Sequence, residues 1–503
     1  MTNLRISRLF PCLHQAGGKG CRWRQVGVWK SCIVLLFWAA VAVAAPATTF
    51  NTLVSFHGTN GDEPEFVTLV QGTDGNLYGT TSFGGTNGEG TVFKITPAGT
   101  LTTLYSFCSQ TGCTDGFNPY AGLAQATNGN FYGTTGSGGA NGFGGTVFEI
   151  TPAGTLTTLY SFCSQPSCTD GELPEARLVE ATNGVLYGTT LDGGAYGVGT
   201  VFKITTTGKL TTVYSFCSQP GCTDGYDPYA GLVQATNGNL YGTTGSGGDN
   251  ASGTIFEITP AGKLTTLYSF CSQTNCSDGT FPHAGLVQGS SGNLYGTTEY
   301  GGASNDGTVF KITLAGKLTT LYSFCSQTSC TDGEFPQDGL VQATSGNFYG
   351  TAEGGGASND GTIFEITPAG KLTTLYSFCS QASCTDGSLP FGGLAQATSG
   401  EFYGTTHGGG ANGDGTVFSL SVGLGPFVET LPGAAAVGAE VQILGTNLHG
   451  ATAVTFNGTP ATFTVRSASL IMTHVPTGAT TGTVQVTLPS GTLSSNVAFR
   501  VLP

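Results

Sequence analysis

The five residues LYGTT at positions 77 to 81 return almost letter for letter at Tyr132, Tyr187, Tyr241, Tyr295, Tyr349 and Tyr403. Successive tyrosines are separated by 54, 55, 54, 54, 54 and 54 residues, the longer interval reflecting an extra glycine near Gly145. A period this regular restricts the chain to a repeat architecture. Glycine, at 82 of 503 residues, recurs at fixed places inside the repeat beside Val, Ile, Phe, Tyr and Thr, the pattern of many short strands joined by turns.

One unit, starting at Ala121, divides at its turn signals into four strands, here called a to d. Strand a (AGLAQA) meets strand b (FYGTT) through Asn128-Gly129, a dipeptide that supplies the positive φ angles of a tight hairpin. Strand c (GTVFEIT) meets strand d (TLTTLYSF) through a Pro-Ala-Gly turn. Simple alternation along strand d places Leu101, Tyr105 and Phe107 on one face and Leu104 on the other, so the sheet needs cover on both sides. A ring of four-stranded sheets, each packed between two neighbours, meets that need. The competing β-solenoid has shorter periods and lacks paired hairpin turns.

The repeat region opens with TFNTLVSF, a lone strand d, and closes with GTVFSLS, a strand c without its d. The predicted fold is therefore an all-β seven-bladed β-propeller over residues 49–421, with six continuous blades and a seventh completed by the opening strand.

The first 44 residues carry Arg5, Arg8, Lys19, Arg22, Arg24 and Lys30 with no acid, then an apolar core ending in Ala42 and Ala44. This predicts a signal peptide over 1–44; the alternative, a membrane anchor, needs a longer apolar run, of about 20 residues. Removing it leaves ten basic against 30 acidic residues, a net charge of −20, which argues against nucleic acid as a partner. The mature chain is expected to be secreted or at the cell surface, with no membrane span, and the sequence assigns no oligomeric state.

Residues 422–426 form a linker, after which the period vanishes. Residues 427–503 alternate strands around an Asn457-Gly458 hairpin, as in a small β-sandwich.

Twelve cysteines remain once Cys12, Cys21 and Cys32 are assigned to the leader. They fall as six C-x4-C pairs in the loops from strand d to strand a: Cys108/Cys113, Cys163/Cys168, Cys217/Cys222, Cys271/Cys276, Cys325/Cys330 and Cys379/Cys384. Export favours local disulfides, and no histidine accompanies the pairs as a zinc site would require. No cofactor motif, metal set or catalytic motif is present. Glu299 and Glu353 are the carboxylates that an acid and base pair would use, and separate loop positions are the plainer reading.

Comparison of the seven copies shows where they diverge. The a-to-b and c-to-d turns barely vary, whereas the residue after the loop proline is Glu65, Tyr120, Glu175, Tyr229, His283, Gln337 or Phe391, and the b-to-c loops carry Phe83, Asp192, Glu299, Tyr300 or His407. Both loop types emerge on one face of a propeller. The candidate ligand contacts are Tyr120, Tyr229, His283, Phe391, Tyr300 and His407, set against drift in unconstrained loops.

The pattern LYGTT..GG.....GTVFKIT.AG.LTTLYSF resembles the tandem GloVer repeat of exported bacterial "choice-of-anchor" proteins and, more loosely, the kelch repeat; residues 427–503 resemble an IPT/TIG (Ig-like) domain. The resemblance implies surface or secreted location and a binding, spacing or docking role. It implies no chemistry. The expected function is an exported binding or cell-surface interaction protein whose partner is a glycan or cell-surface protein; the alternatives are a carbohydrate-active enzyme, lyase or glycosidase, at the propeller mouth, and a structural envelope protein.

Overall fold

The computed structural model describes residues 48–503, so the leader and its three cysteines lie outside the described residues. Seven four-stranded antiparallel sheets follow one another. Blade 1 is built from Val70–Gln71, Leu77–Thr81, Thr91–Ile95 and Leu101–Ser106, and blades 2 to 6 repeat it. Blade 7 combines Ala395–Gln396, Phe402–Thr406 and Thr416–Ser421 with the opening strand Thr49–Ser55, which pairs antiparallel from Thr49 opposite Ser421 to Ser55 opposite Thr416. The fold is a seven-bladed β-propeller followed by an Ig-like sandwich.

The repeated motif on strand b has a separate job for each letter. Tyr78 is buried between blades, stacked on Phe131 of the next one. Gly79 is a close-approach position: a Cβ there would meet Leu69 Cδ2 at 2.6 Å and Phe93 Cζ at 2.7 Å. The hydroxyl of Thr80 donates to the carbonyl of Ala121 in the following blade at 2.9 Å, and the equivalent threonine does so at every blade boundary, ending with Thr405 to Val67. Thr81 pairs with Thr91 of strand c at 2.8 Å. Blade 6 carries Ala352 at that last position, and the buried Thr362 hydroxyl opposite is left without a partner.

Strand d departs from the simple alternation expected of it. The register jumps between Val92 and Phe93, so Leu104 is the extra residue of a β-bulge and the strand reverses its facing there. Leu101 packs with Phe93 and Ile95 toward blade 7, whereas Leu104, Tyr105 and Phe107 pack toward blade 2. The conclusion that both faces are covered stands; the assignment of Leu101 to the face of Tyr105 does not. Strand a is also shorter than its apolar run, two residues in each blade, because the residues before it run down the channel wall as irregular backbone.

A second ring of hydrogen bonds binds the blades at the channel end where strand a turns into strand b. The amide of Thr73 donates to Gln125 Oε1 in the next blade, and the same bond recurs from Thr127 to Glu180, Thr182 to Gln234, Thr236 to Gln288, Ser290 to Gln342 and Thr344 to Gln396.

The C-terminal module packs one sheet containing Glu429–Leu431, Glu440–Leu444, Leu470–His474 and Phe463–Val465 against another containing Ala453–Phe456 and Val484–Leu488. Val441, Ile443, Val454, Phe456, Ile471, Val484, Val486 and Phe499 form its core. Propeller and module form one compact unit. The expected linker is seated rather than free, with Val422 and Leu424 packed against the core between blades 6 and 7.

Candidate functional site

The two variable loop types do meet on one face. The loop entering each blade pairs with that blade's b-to-c loop, as in Phe117 with Ser137, Glu172 with Asp192 and Thr280 with Tyr300. Each of the six cysteine loops is anchored twice. The cysteines are joined as six local disulfides, Cys108–Cys113, Cys163–Cys168, Cys217–Cys222, Cys271–Cys276, Cys325–Cys330 and Cys379–Cys384. A buried aspartate then gathers the loop's donors. In the first loop Asp115 accepts from the Tyr105 hydroxyl at 2.8 Å, the Ser109 amide and hydroxyl at 2.9 Å, and the Gln110 amide at 3.2 Å. All twelve cysteines hold left-handed backbone, φ 49° to 59°, a conformation that side-chain-bearing residues adopt only when their surroundings enforce it.

The second cysteine of each pair needs a correction to its reading as a plain loop residue. Cys113, Cys168, Cys222, Cys276, Cys330 and Cys384 each end a short 3-10 turn, the first being Thr111–Cys113, the third Pro220–Cys222 and the fourth Thr274–Cys276. Their carbonyls also tie the two variable loops together. Cys113, Cys222 and Cys276 accept from the amides of Gly139, Gly248 and Gly302 in the b-to-c loops at 3.0 Å, and Cys168, Cys330 and Cys384 accept from Gly194, Gly356 and Gly410 at 2.9 Å. These cysteines therefore brace the b-to-c loop through backbone as well as closing their own loop through sulfur.

The six pairs also differ in their surroundings. A carboxylate oxygen lies within 4.8 Å of both sulfurs at Cys163/Cys168, from Glu172, at Cys325/Cys330, from Asp306 and Glu334, and at Cys379/Cys384, from Asp360. Among the described residues no carboxylate stands so close to both sulfurs at Cys108/Cys113, Cys217/Cys222 or Cys271/Cys276. A metal would need these sulfurs as thiolates, and a sulfur joined to another is not one.

Four of the six candidate ligand contacts come together at the mouth of the channel. Tyr229 lies 4.6 Å from His283, His283 5.0 Å from Phe66, Phe66 5.8 Å from Phe391, and Phe391 4.8 Å from His407, ring centre to ring centre. Phe66 and His283 belong to blades on opposite sides of the ring, so this chain of aromatic contacts spans the opening as a plug. Burial drives the His283 imidazole down to about 4, and it is neutral at physiological pH. Phe66, the residue that bridges the two halves, is absent from the candidate set because blade 1 carries one extra residue after its proline.

Around the plug stands a rim of acids with one exposed and one half-buried ring. Tyr120 packs on Gly136 beside Glu175, whose carboxyl is pushed up to about 7 by burial, with Asp192 and Glu65 adding to the effect. Glu65 Oε1 lies 3.7 Å from His407 Nδ1. Tyr300 is 39% exposed and sits away from the plug, against Phe335 and Phe281. Glu299 and Glu353 do meet: the Gln337 amide donates to both, at 3.4 Å to Glu299.

Behind the plug the axis holds a cavity of about 970 Å³, walled by the strand-a segments and floored by the C-terminal module. Its charged side chains include Arg177 and Asp338 from the wall and Glu429 and Arg500 from the floor. Arg177 and Glu429 present much of their surface to this void while lying deep within the molecule; what they face is the cavity rather than bulk solvent. Burial lowers the Arg177 affinity for its proton and raises those of Asp338 and Glu429, opposed by the attraction between the acids and Arg177. Asp338 is held by the amides of Gly339 and Gly393, both at 2.5 Å, and by the Thr68 hydroxyl at 3.1 Å.

The module reaches that floor by hydrogen bonding to the a-to-b turns. Ser469 Oγ donates to the Thr73 carbonyl and Gln442 Nε2 to that of Thr127, each at 2.8 Å; Thr446 meets Thr398 at 3.0 Å, and Arg500 donates to Thr236. The constancy of those turns thus serves docking as well as chain reversal.

These features define a seven-bladed propeller plugged at one end by variable aromatic loops and capped at the other by an Ig-like module. Residues 40–233, 221–331 and 325–447 match the Gloeobacter/Verrucomicrobia repeat, and residues 428–501 match the IPT/TIG domain. The chain belongs to the Gloeobacter/Verrucomicrobia repeat family.

Among solved structures it is similar to the extracellular domain of a protein assigned to a hybrid two-component system of B. thetaiotaomicron, with 11% identity and a TM-score of 0.48 over 89% of this chain; the chain spans 58% of that protein's length. It is also similar to a fungal alcohol oxidase of the AA5 family in complex with copper, with 13% identity and a TM-score of 0.50 over 90% of this chain and 99% of that one. At such identities the likeness is one of fold. No curated protein matches the sequence.

Proposed function

We propose that the protein is an exported binding protein that recognises saccharide ligands through the rim of the plugged mouth. The observation that carries this reading is convergence: the positions at which the seven repeats differ, and not those at which they agree, gather around one opening. The rim offers aromatic faces for stacking at Tyr120 and Tyr300 and carboxylates for hydroxyl groups at Glu65, Glu175 and Glu353, the mixture that sugar rings engage. Loops held by disulfide and aspartate lose little further entropy when a ligand binds. Six disulfides suit an oxidising compartment outside the cytoplasm, and no helix among the described residues is long and apolar enough to cross a membrane. IPT/TIG domains often mediate protein interactions, which supports a surface role for the capped end.

Glycan-array binding with the mature chain tests the proposal. Tyr120→Ala with Tyr300→Ala should abolish the array signal, because both rings stand outside the core of the plug. An array without signal, or one unchanged in that double variant, would overturn it.

A glycosidase reading draws on the meeting of Glu299 and Glu353, since retaining enzymes hold two carboxyls about 5 Å apart. The shared Gln337 amide donates to both and so favours two acceptors, whereas the reaction needs one group that gives a proton. Turnover of polysaccharides lost in Glu353→Gln would favour the enzyme.

A further inference from the structure

We infer that the axial cavity is a second binding site, for a small hydroxyl-rich carboxylate of the uronic acid class, built from Arg177 and Asp338 of the propeller and Glu429 of the IPT/TIG module.

The first argument is the chain's comparison with itself. At the position of Arg177 the other blades carry Thr68, Gly122, Gly231, Gly285, Gly339 and Gly393; at the position of Asp338 they carry Val67, Ala121, Ala176, Ala230, Ala284 and Gly392. A ring that closes with glycine and small apolar residues at these places has no structural need for a charge. Yet one cation and one anion appear, and both line the same cavity.

The second argument is that Arg177 lacks a partner. Among the described residues no carboxylate lies within 4.0 Å of the Arg177 guanidinium, the one such contact in the fold being that of the half-buried His407 with Glu65, and Arg177 donates no hydrogen bond to the described protein. Its five N–H donors therefore face a void, held there by an element that gains nothing from them. A planar fork of donors matches a carboxylate in bidentate fashion, and it keeps its charge in such surroundings. Asp338 differs, since three protein donors already fix its orientation; its remaining lone pairs, with those of Glu429, can accept from ligand hydroxyls.

The third argument is size and access. At about 970 Å³ the cavity exceeds the space of a single sugar ring and falls within the range of small-molecule sites. The aromatic plug closes the mouth. On the other end, hydrogen bonds from the module reach the a-to-b turns of blades 1, 2, 4 and 7, and none among the described residues reaches those of blade 3 or of the adjacent blades 5 and 6. Val497, 68% exposed, lines the cavity at that end and marks the seam through which a ligand enters. Because Glu429 comes from the module, the site is incomplete without it.

Isothermal titration of the full mature chain with galacturonate and glucuronate tests the inference, with galactose as the neutral control and alanine as a small zwitterion. The wild type should bind a uronate and neither control. Arg177→Gly should weaken that binding by at least about tenfold, the loss expected for one charge-assisted bidentate contact, and Asp338→Ala and Glu429→Gln should weaken it by less. Arg177→Gly restores the residue that most sibling blades use, so its melting temperature should match or exceed the wild type, whereas Asp338→Ala also frees three donors and should lower it. Absence of uronate binding, equal binding in Arg177→Gly, or binding of galactose or alanine as tight as that of the uronate would each overturn it. Arg177→Gly leaves every rim residue in place, so its result is independent of the glycan array.

Discussion

The backbone amide of Thr398 donates to Gln71 Oε1 at 2.8 Å across 327 residues of sequence, closing with one bond the ring of contacts that the other blade boundaries form between neighbours. The Thr49–Ser55 strand closes the same boundary by backbone pairing. Ring closure is thus fastened at both the inner and the outer radius.

Deleting residues 46–56 should remove the outer fastening, uncover the buried Phe56 cluster and lower the unfolding midpoint strongly in urea. Gln71→Leu should remove only the inner one and cost about 1 kcal/mol, the usual worth of a single hydrogen bond. A deletion that leaves the midpoint unchanged would show that the ring holds without its opening strand.

Ala352→Thr should stabilise the protein by about 1 kcal/mol, because it gives the orphaned Thr362 hydroxyl the partner found in the other six blades. Thermal unfolding of the single variant measures it.

Peptide mapping should find twelve oxidised cysteines in six local pairs. A loop this short contributes ~2 kcal/mol by the chain-entropy relation. Asp115→Ala should cost a similar amount or more, since it leaves four donors around one buried site unpaired at ~1–3 kcal/mol. Reduction alone should therefore loosen the loops and leave the blades folded, whereas reduction of Asp115→Ala should expose the first loop to protease.

The mouth should respond to pH in two opposed ways. His283 is neutral in the fold down to about 4 and titrates near 6.5 when unfolded, so its contribution is complete above pH 6.5 and is lost as pH falls toward 4. Glu175 keeps its proton in the fold up to about 7 and titrates near 4.5 when unfolded, so its contribution is present below pH 4.5 and is lost as pH rises through 7. His283→Gln should flatten the acid limb of a plot of melting temperature against pH, and Glu175→Gln the alkaline limb.

Much of this architecture is legible in the letters because each blade states it again. Hairpins at Asn128-Gly129, the split seventh blade and the pairing of cysteines follow from turn chemistry and counting. The 3-10 turns that end at Cys113, Cys222 and Cys276 were not legible, because the left-handed residue before each cysteine is Gly112, Gly221 and Asn275 in these loops and serine in the second. No single letter marks the position. The facing of Leu101 was hidden too, since a bulge one residue long at Leu104 leaves no mark on the apolar pattern. Nor was the plug visible, because Phe66 is displaced by one position from the column in which the other loop residues align. Arg177 and Asp338 could have been found by extending the comparison of copies two residues further, from the loops into strand a. The docking of the module on the a-to-b turns had no such signal: turns kept constant for chain reversal and turns kept constant for a neighbour look alike.

The split blade also sets an order of events. Thr49–Ser55 is synthesised before any blade and finds its partner, Thr416–Ser421, only after the six complete blades and the first two strands of the seventh that lie between them exist. Until then the growing ring is an open arc with an uncovered apolar sheet face at each end and one unpaired strand edge in blade 7, prone to join the wrong neighbour. The last step of folding is therefore a homecoming of the first strand, and a chain cut short before residue 416 would remain an arc with sticky ends rather than a smaller wheel.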